Sequence, residues 1–115
     1  MNDLGERLFN FAIRAIKYLR ILSNSTEYRV IRYQLTKSAT SSGANYEEAQ
    51  AGSSRADFSN KTRIALREMR ESNYWLRIIH GLIENPDDKE LIWLIQESKE
   101  LKNILGSIVQ KTRTK

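Results

Sequence analysis

The sequence predicts an all-α fold, an antiparallel up-down-up-down four-helix bundle in which residues 1–115 form a single domain. Three observations predict it. Apolar residues recur with the 3.6-residue period of amphipathic helices along nearly the whole chain, and β-branched alternation is absent. One proline and five glycines interrupt 115 residues. The interruptions are short and polar, and short connections make successive long helices antiparallel neighbours.

The first helix runs from about Asp3 to Leu22. Leu8, Ala12, Ala15, Leu19 and Leu22 form its inner face, with Phe9, Ile13 and Ile16 beside them. This apolar arc is wider than one seam needs, and a small bundle with surplus apolar surface hides it in an oligomer. "SNST" at 23–26 is a polar break in which Ser25 or Thr26 suits an N-cap. The second helix runs from about Glu27 to Gln50. Ile31, Leu35, Ser38, Ser42, Asn45 and Ala49 share one face, flanked by Gln34, Ala39 and Ser41.

The stretch "KSATSSGANYEEAQAGSS", Lys37 to Ser54, has twelve Ala, Gly, Ser or Thr residues and no Leu, Ile, Val, Met or Phe. Small side chains let two helix backbones approach closely, and amides such as that of Asn45 can then bond across the gap. The alternative is weak helix sequence that frays, because Ser, Thr and Gly are poor helix formers. "AGSS" at 51–54 ends the helix: Gly52 suits a left-handed C-cap, and Ser53 or Ser54 can cap the next helix.

The third helix, from about Arg55 to Ile83, has the clearest seam: Phe58, Thr62, Ala65, Met69, Ser72, Leu76, Ile79 and Ile83. It is small at its start, matching the second helix, and bulky at its end, where Trp75 and Trp93 help fill the bundle. In "ENPDD", Asn85 suits an N-cap, Pro86 the first helical position, and Asp87 and Asp88 the positive helix end. The fourth helix then runs from about Pro86 to Gln110. Leu91, Leu94 or Ile95, Ser98, Leu101, Leu105 and Ile108 face inward, and a basic tail, "KTRTK", follows from about residue 111.

Composition excludes several functions. There is no cysteine, hence no disulfide, thiolate nucleophile or Cys-based metal site. Charges break the apolar residues of the N-terminus, so it is neither a signal peptide nor a span. The longest apolar runs, such as "LIWLI" at 91–95, fall far short of the roughly 18 residues of a membrane span. A cytoplasmic location is expected. With His80 as the only histidine, the two Glu-x-x-His motifs of a di-iron bundle cannot be assembled from Glu47, Glu48, Glu68 and Glu71. Glu68 and Glu71 fit better as partners of arginines or caps of polar groups at a helix or subunit interface. No histidine lies near the serine-rich segment to activate a nucleophile, and "SSGAN" lacks the phosphate-loop pattern. No cofactor, metal or small-molecule substrate is expected, and the protein reads as no enzyme.

The net charge is +5. Residues 1–82 carry 13 Lys and Arg against 8 Asp and Glu, whereas residues 83–115 carry 6 of each. Such an excess attracts nucleic acid, an acidic partner or an anionic surface. On the third helix, opposite its seam, Arg63, Arg67, Arg70, Tyr74 and Arg77 follow one another at spacings of 4, 3, 4 and 3, with Lys61 flanking them. Guanidinium forks suit phosphate, and a tyrosine ring can stack on an unpaired base. These six residues are the candidate nucleic-acid site. Two other readings stay open: neutralisation by Glu68 and Glu71, and burial of the arginine stems in a subunit interface.

Residues 34–80 carry a resemblance. A small-rich turn at Ser38–Ser42, Ala44-Asn45 followed by Glu47-Glu48, "RADF" at Arg55–Phe58, "IAL" at Ile64–Leu66 and "ESNYWL" at Glu71–Leu76 resemble the bacterial four-helix-bundle family of 23S rRNA intervening-sequence, or ribosomal-protein-like, proteins. The likeness extends over the chain in length and helix order. It implies an antiparallel bundle that assembles as a homopentameric ring, and a link to RNA, since relatives are encoded within rRNA insertions. A more distant branch is the accessory variability protein that serves the reverse transcriptase of retroelements. No catalytic residues come with the resemblance. The expected function is therefore that of a non-enzymatic, oligomeric protein associated with RNA, or with DNA, through a basic surface. The alternative is an interaction scaffold whose ring presents that surface to an acidic partner or polymerase.

Overall fold

The computed structural model describes residues 3–52 and 54–113. Four helices follow in order: α1 (Asp3–Leu19), α2 (Thr26–Ala51), α3 (Arg55–Leu82) and α4 (Lys89–Arg113). A 28-residue helix such as α3 rises about 42 Å, and the molecule measures 47 × 23 × 22 Å, so the bundle is one helix long. Helix α1 packs on α2 and α4, α3 also packs on α2 and α4, and the backbones of the diagonal pairs stay apart. This is the up-down-up-down arrangement that the sequence predicts.

The connections show what ends each helix. Helix α1 stops at Leu19, three residues short of the expected Leu22. Its last turn tightens: Ile21 N–H donates to Tyr18 O and Leu22 N–H to Leu19 O. Arg32 of α2 reaches over to donate to Leu19 O at 2.8 Å and Ser23 O at 3.1 Å, giving the Leu19 carbonyl a second donor and tying down the chain beyond the helix end. Ser25 then caps α2 by accepting from Tyr28 N–H.

Gly52 is not in the left-handed region. Its φ and ψ are −67° and 153°, extended values that any residue adopts. Its lack of a side chain serves space instead, because a Cβ there would run into the Asp57 carboxylate. Ser54 caps α3, accepting from Asp57 N–H at 3.0 Å; the alternative cap, Ser53, lies outside the described residues.

The start of α4 differs from expectation. Asn85 Oδ1 accepts from Asp87 N–H and caps a turn, not the helix. The helix begins at Lys89, where Asp88 Oδ1 accepts from Leu91 N–H. Asp88 Oδ2 also accepts the Tyr18 hydroxyl at 3.0 Å, so contact with α1 selects this carboxylate as the cap. His80 Nε2 donates to Pro86 O at 3.0 Å and holds the turn. At the other end, α4 continues through residues 111–113, with Thr112 hydrogen-bonded to Ser59 across the bundle; the expected basic tail is helical that far.

The core is built from Leu8, Phe11, Ala15 and Leu19 of α1, Ile31, Leu35 and Ala39 of α2, Ala65, Met69, Leu76 and Ile79 of α3, and Leu91, Leu94, Leu101 and Leu105 of α4. Val109, not Ile108, closes the α4 face. Between α2 and α3 the small residues do bring the backbones together. Ser38 and Ser72 hydroxyls meet at 2.7 Å, and Ser42 Oγ donates to Ala65 O at 2.8 Å. Each such bond contributes about 0.5–1.5 kcal/mol net, and leaving a buried hydroxyl unpaired would cost about 1–3 kcal/mol. Asn45 does not join them. It is half-buried, and its amide donates back to Ser41 O, so hydroxyls and not amides bridge this seam. Tyr46 is the buried neighbour instead.

Helix α1 is held to α4 by charge. Arg7 pairs with Glu97 at 2.8 Å and Glu100 at 3.0 Å, and Arg14 pairs with Glu90 at 2.7 Å. The Arg14 guanidinium also lies over the Trp93 ring, 3.4 Å from its centre. The bond from Arg14 holds the Glu90 carboxyl below its ordinary range. Bonds from Gln96 and then Arg7 do the same for Glu100. Burial, followed by the bond to Asp88, pushes the Tyr18 phenol well above its ordinary value.

Candidate nucleic-acid interface

The inner positions of α3 decide where its outer face points. Ser72 meets Ser38 on α2. Asn73, the next residue, donates to Ile95 O at 3.2 Å and Ser98 Oγ at 2.9 Å on α4. The flank toward α2 and the flank toward α4 are thus fixed by adjacent residues. Arg63, Arg67, Arg70, Tyr74 and Arg77 are all exposed and follow one another around the outside of α3 next to the α4 flank.

Lys61 is placed elsewhere. It precedes Ser72 by eleven residues, three turns of helix, and therefore stands on the flank toward α2, where it is half-buried. Arg63, two residues on, is most of half a turn away. The structure thus brings five of the six candidate residues together and leaves Lys61 apart.

Within the stripe, Arg77 is the anchored member. Its Nε donates to Asn73 Oδ1 at 2.9 Å, and its guanidinium lies 5.7 Å from the centre of the Tyr74 ring. Tyr74, 48% exposed, meets Trp75 edge-on at 5.4 Å. Arg63 has a long contact, 3.4 Å, to Ser59 Oγ. Among the described residues, no carboxylate lies within ion-pair distance of Arg63, Arg67, Arg70 or Arg77; every ion pair found involves Arg7 or Arg14. Glu71 is one turn from Arg67, but its carboxylate accepts from the Trp75 indole at 3.1 Å. Neutralisation by Glu68 and Glu71 is therefore not the arrangement adopted.

Sequence reasoning missed Asn73. It sits beside the seam in a region read as apolar and small, and the one available signal was an amide next to Ser72. Its function is positional: one side-chain amide bonds α4 while its oxygen holds Arg77.

A second surface runs between α1 and α2. Leu8, Phe9, Ala12, Ile13 and Ile16 of α1 and Thr40, Gly43 and Ala44 of α2 line a groove of about 310 Å³. Phe9 is 60% exposed and Ile13 39%. This is the surplus apolar arc that the sequence of α1 contains. Among the described residues, no group of three or more His, Cys, Asp or Glu is placed to hold a metal ion, and no helix is long and apolar enough to cross a membrane.

The comparisons agree with this architecture. A family model described as 23S rRNA-intervening sequence protein matches residues 3–107. A crystal structure of a protein of unknown function from the S23 ribosomal protein family of Bacteroides thetaiotaomicron is 33% identical, with a TM-score of 0.81; the match covers 92% of this chain and 97% of that one. No curated protein matches. The chain thus belongs to the family of 23S rRNA-intervening sequence proteins.

Proposed function

We propose that this is a non-enzymatic, cytoplasmic, oligomeric protein that associates with RNA through the arginine stripe of α3. One observation carries the proposal: four guanidiniums share an exposed helix face with no carboxylate partner among the described residues. An unneutralised row of this kind attracts phosphate, and Arg offers it a bidentate fork. Tyr74 adds a half-exposed ring on which an unpaired base can stack. RNA is favoured over DNA because the family is described by its link to 23S rRNA.

Assembly is the second part of the proposal. The groove of α1 and α2 leaves Phe9 and Ile13 exposed side by side, and a second copy of the chain would cover them. A homopentamer is the state implied by the family resemblance. Five stripes in one assembly would raise a weak contact by avidity.

Binding of labelled RNA and DNA by the purified protein across a salt series tests this. Affinity falls steeply with salt if phosphates are contacted, and each Arg→Ala variant lowers the salt slope by up to about one unit. Assembly is measured on every variant by light scattering. Four arginine variants that stay assembled and bind as well as the parent would overturn the reading. Failure of the parent to bind at low salt would favour a scaffold that offers the stripe to an acidic protein.

A further inference from the structure

We infer that the binding face is a groove between two helices, with Lys99 and Lys102 of α4 as its second wall, and that it takes the backbone of a single RNA strand. This rests on the RNA-association reading and adds residues and a ligand form to it.

The register of α3 on α4 places the lysines. Asn73 bonds Ile95 O and Ser98 Oγ. Lys99 follows Ile95 by four residues and Lys102 follows Ser98 by four, so both stand one turn further along the flank of α4 that faces α3. Leu66 Cδ1 lies 4.0 Å from where a Cβ on Gly106 would stand, another turn on. Lys99 and Lys102 therefore lie between the level of Asn73 and that of Leu66, alongside Arg67 and Arg70. Lys99 is exposed and Lys102 half-buried, and neither has an ion-pair partner among the described residues.

The acids of α4 are sorted to its other side. Glu90, Glu97 and Glu100 all face α1, where Arg14 and Arg7 hold them. The ion pairs that fasten α1 thereby clear the α3–α4 face of carboxylates. One flank of α4 is acidic and paired; the other is basic and unpaired.

The form of the ligand follows from the shape. From Arg63 to Arg77 the stripe spans about 21 Å along one straight axis, with the lysines running parallel to it. At the Arg77 end, Tyr74 is 48% and Ile92 46% exposed. Ile92 precedes Lys99 by seven residues, two turns, and so belongs to the same row. A single strand can lay its phosphates between the two cationic rows and its bases on Tyr74 and Ile92. A duplex keeps its base faces stacked inside and offers these two side chains nothing to cover.

The test uses a fluorescein-labelled oligouridine and an RNA hairpin of equal charge, with the full chain. The parent should bind the oligouridine more tightly than the hairpin. The K99A/K102A variant should bind oligouridine about tenfold more weakly at low salt, with a salt slope lower by about 1.4, the value for two single-strand phosphate contacts. Lys61→Ala, on the opposite flank, should match the parent. If K99A/K102A matches the parent while R67A/R70A is weakened, the groove is wrong and the stripe stands. If the parent binds neither RNA, the proposed function falls with it. Tighter binding of the hairpin would overturn the single-strand claim. A second measurement needs no variant. Photocrosslinking of 4-thiouridine RNA to the parent reports where the bases lie and should place adducts on Tyr74 or Ile92, and adducts on the Lys61 flank with none on Tyr74 or α4 would overturn the proposal.

Discussion

Ser42 and Asn45 lie one turn apart on α2 and the sequence predicts both to face inward, yet they occupy different environments. Ser42 is fully buried and bonded to the Ala65 carbonyl; Asn45 is half-buried and bonded within its own helix. Ser42→Leu should therefore lower stability by about 1–3 kcal/mol through overpacking. Asn45→Leu should change it by no more than about 0.5 kcal/mol, as a substitution near the surface does. Denaturant melts of both variants compare them directly, and equal losses would refute the hydroxyl-bridged seam. The sequence made the small face legible because its composition is unusual over eighteen positions. It did not reveal which polar residue crosses the gap, because an Asn on a helix can always bond the carbonyl one turn back. Tyr74→Ala belongs at this scale too. It should weaken single-stranded more than duplex binding, by about 1–3 kcal/mol per stacked base, read from titrations of both RNAs.

At the scale of the helices, the seams of α3 and α4 were readable because periodicity extends over many turns and small errors average out. Their ends were less so. Serial capping candidates such as Asn85, Asp87 and Asp88 are alike in local chemistry, and a distant partner, Tyr18, chooses among them. Arg32 likewise ends α1 from another helix. The α1–α4 junction has consequences at both extremes of pH. Glu90 sits below its ordinary 4.5 when folded, so its contribution is complete above that pH and is lost as pH falls through the folded value. Thermal melts should show the midpoint declining below about pH 4.5, and Glu90→Gln should flatten that decline. Tyr18 behaves oppositely. Its folded value is raised, so its contribution is complete below the ordinary 10.0 and is lost at higher pH, as the unfolded phenol ionises and the folded one resists. Tyr18→Phe should reduce the alkaline loss measured in the same melts.

For the whole molecule, the four-helix architecture was evident from the sequence, and the exposed groove of α1 and α2 matches the surplus of apolar residues noted there. The arginine stripe was legible because a period of 4, 3, 4, 3 needs no tertiary information. The misplacement of Lys61 and the absence of Lys99 and Lys102 from that site were not correctable from sequence, since the rotation of α3 against α4 is fixed by Asn73. Light scattering coupled to size exclusion should report an oligomer at micromolar concentration. Introducing charge into the groove with Phe9→Asp and Ile13→Asp should yield smaller species, whereas a folded parent monomer would refute assembly through this face.

The junction of α1 with α4 also sets an order of events in time. Every other helix contact joins neighbours in sequence, but Arg7, Arg14 and Tyr18 meet partners 93, 90, 76 and 70 residues away. Closing so long a loop is costly until the intervening helices are already packed. The α1–α4 junction is then expected to close last, once the sequence neighbours α1–α2, α2–α3 and α3–α4 have packed, and after the rate-limiting barrier. Contacts made that late slow the reverse reaction and leave the forward one alone. Arg14→Met should accelerate unfolding in stopped-flow experiments with almost no change in the folding rate, which makes the ionic fastening of α1 the latch that governs how long the native molecule lasts.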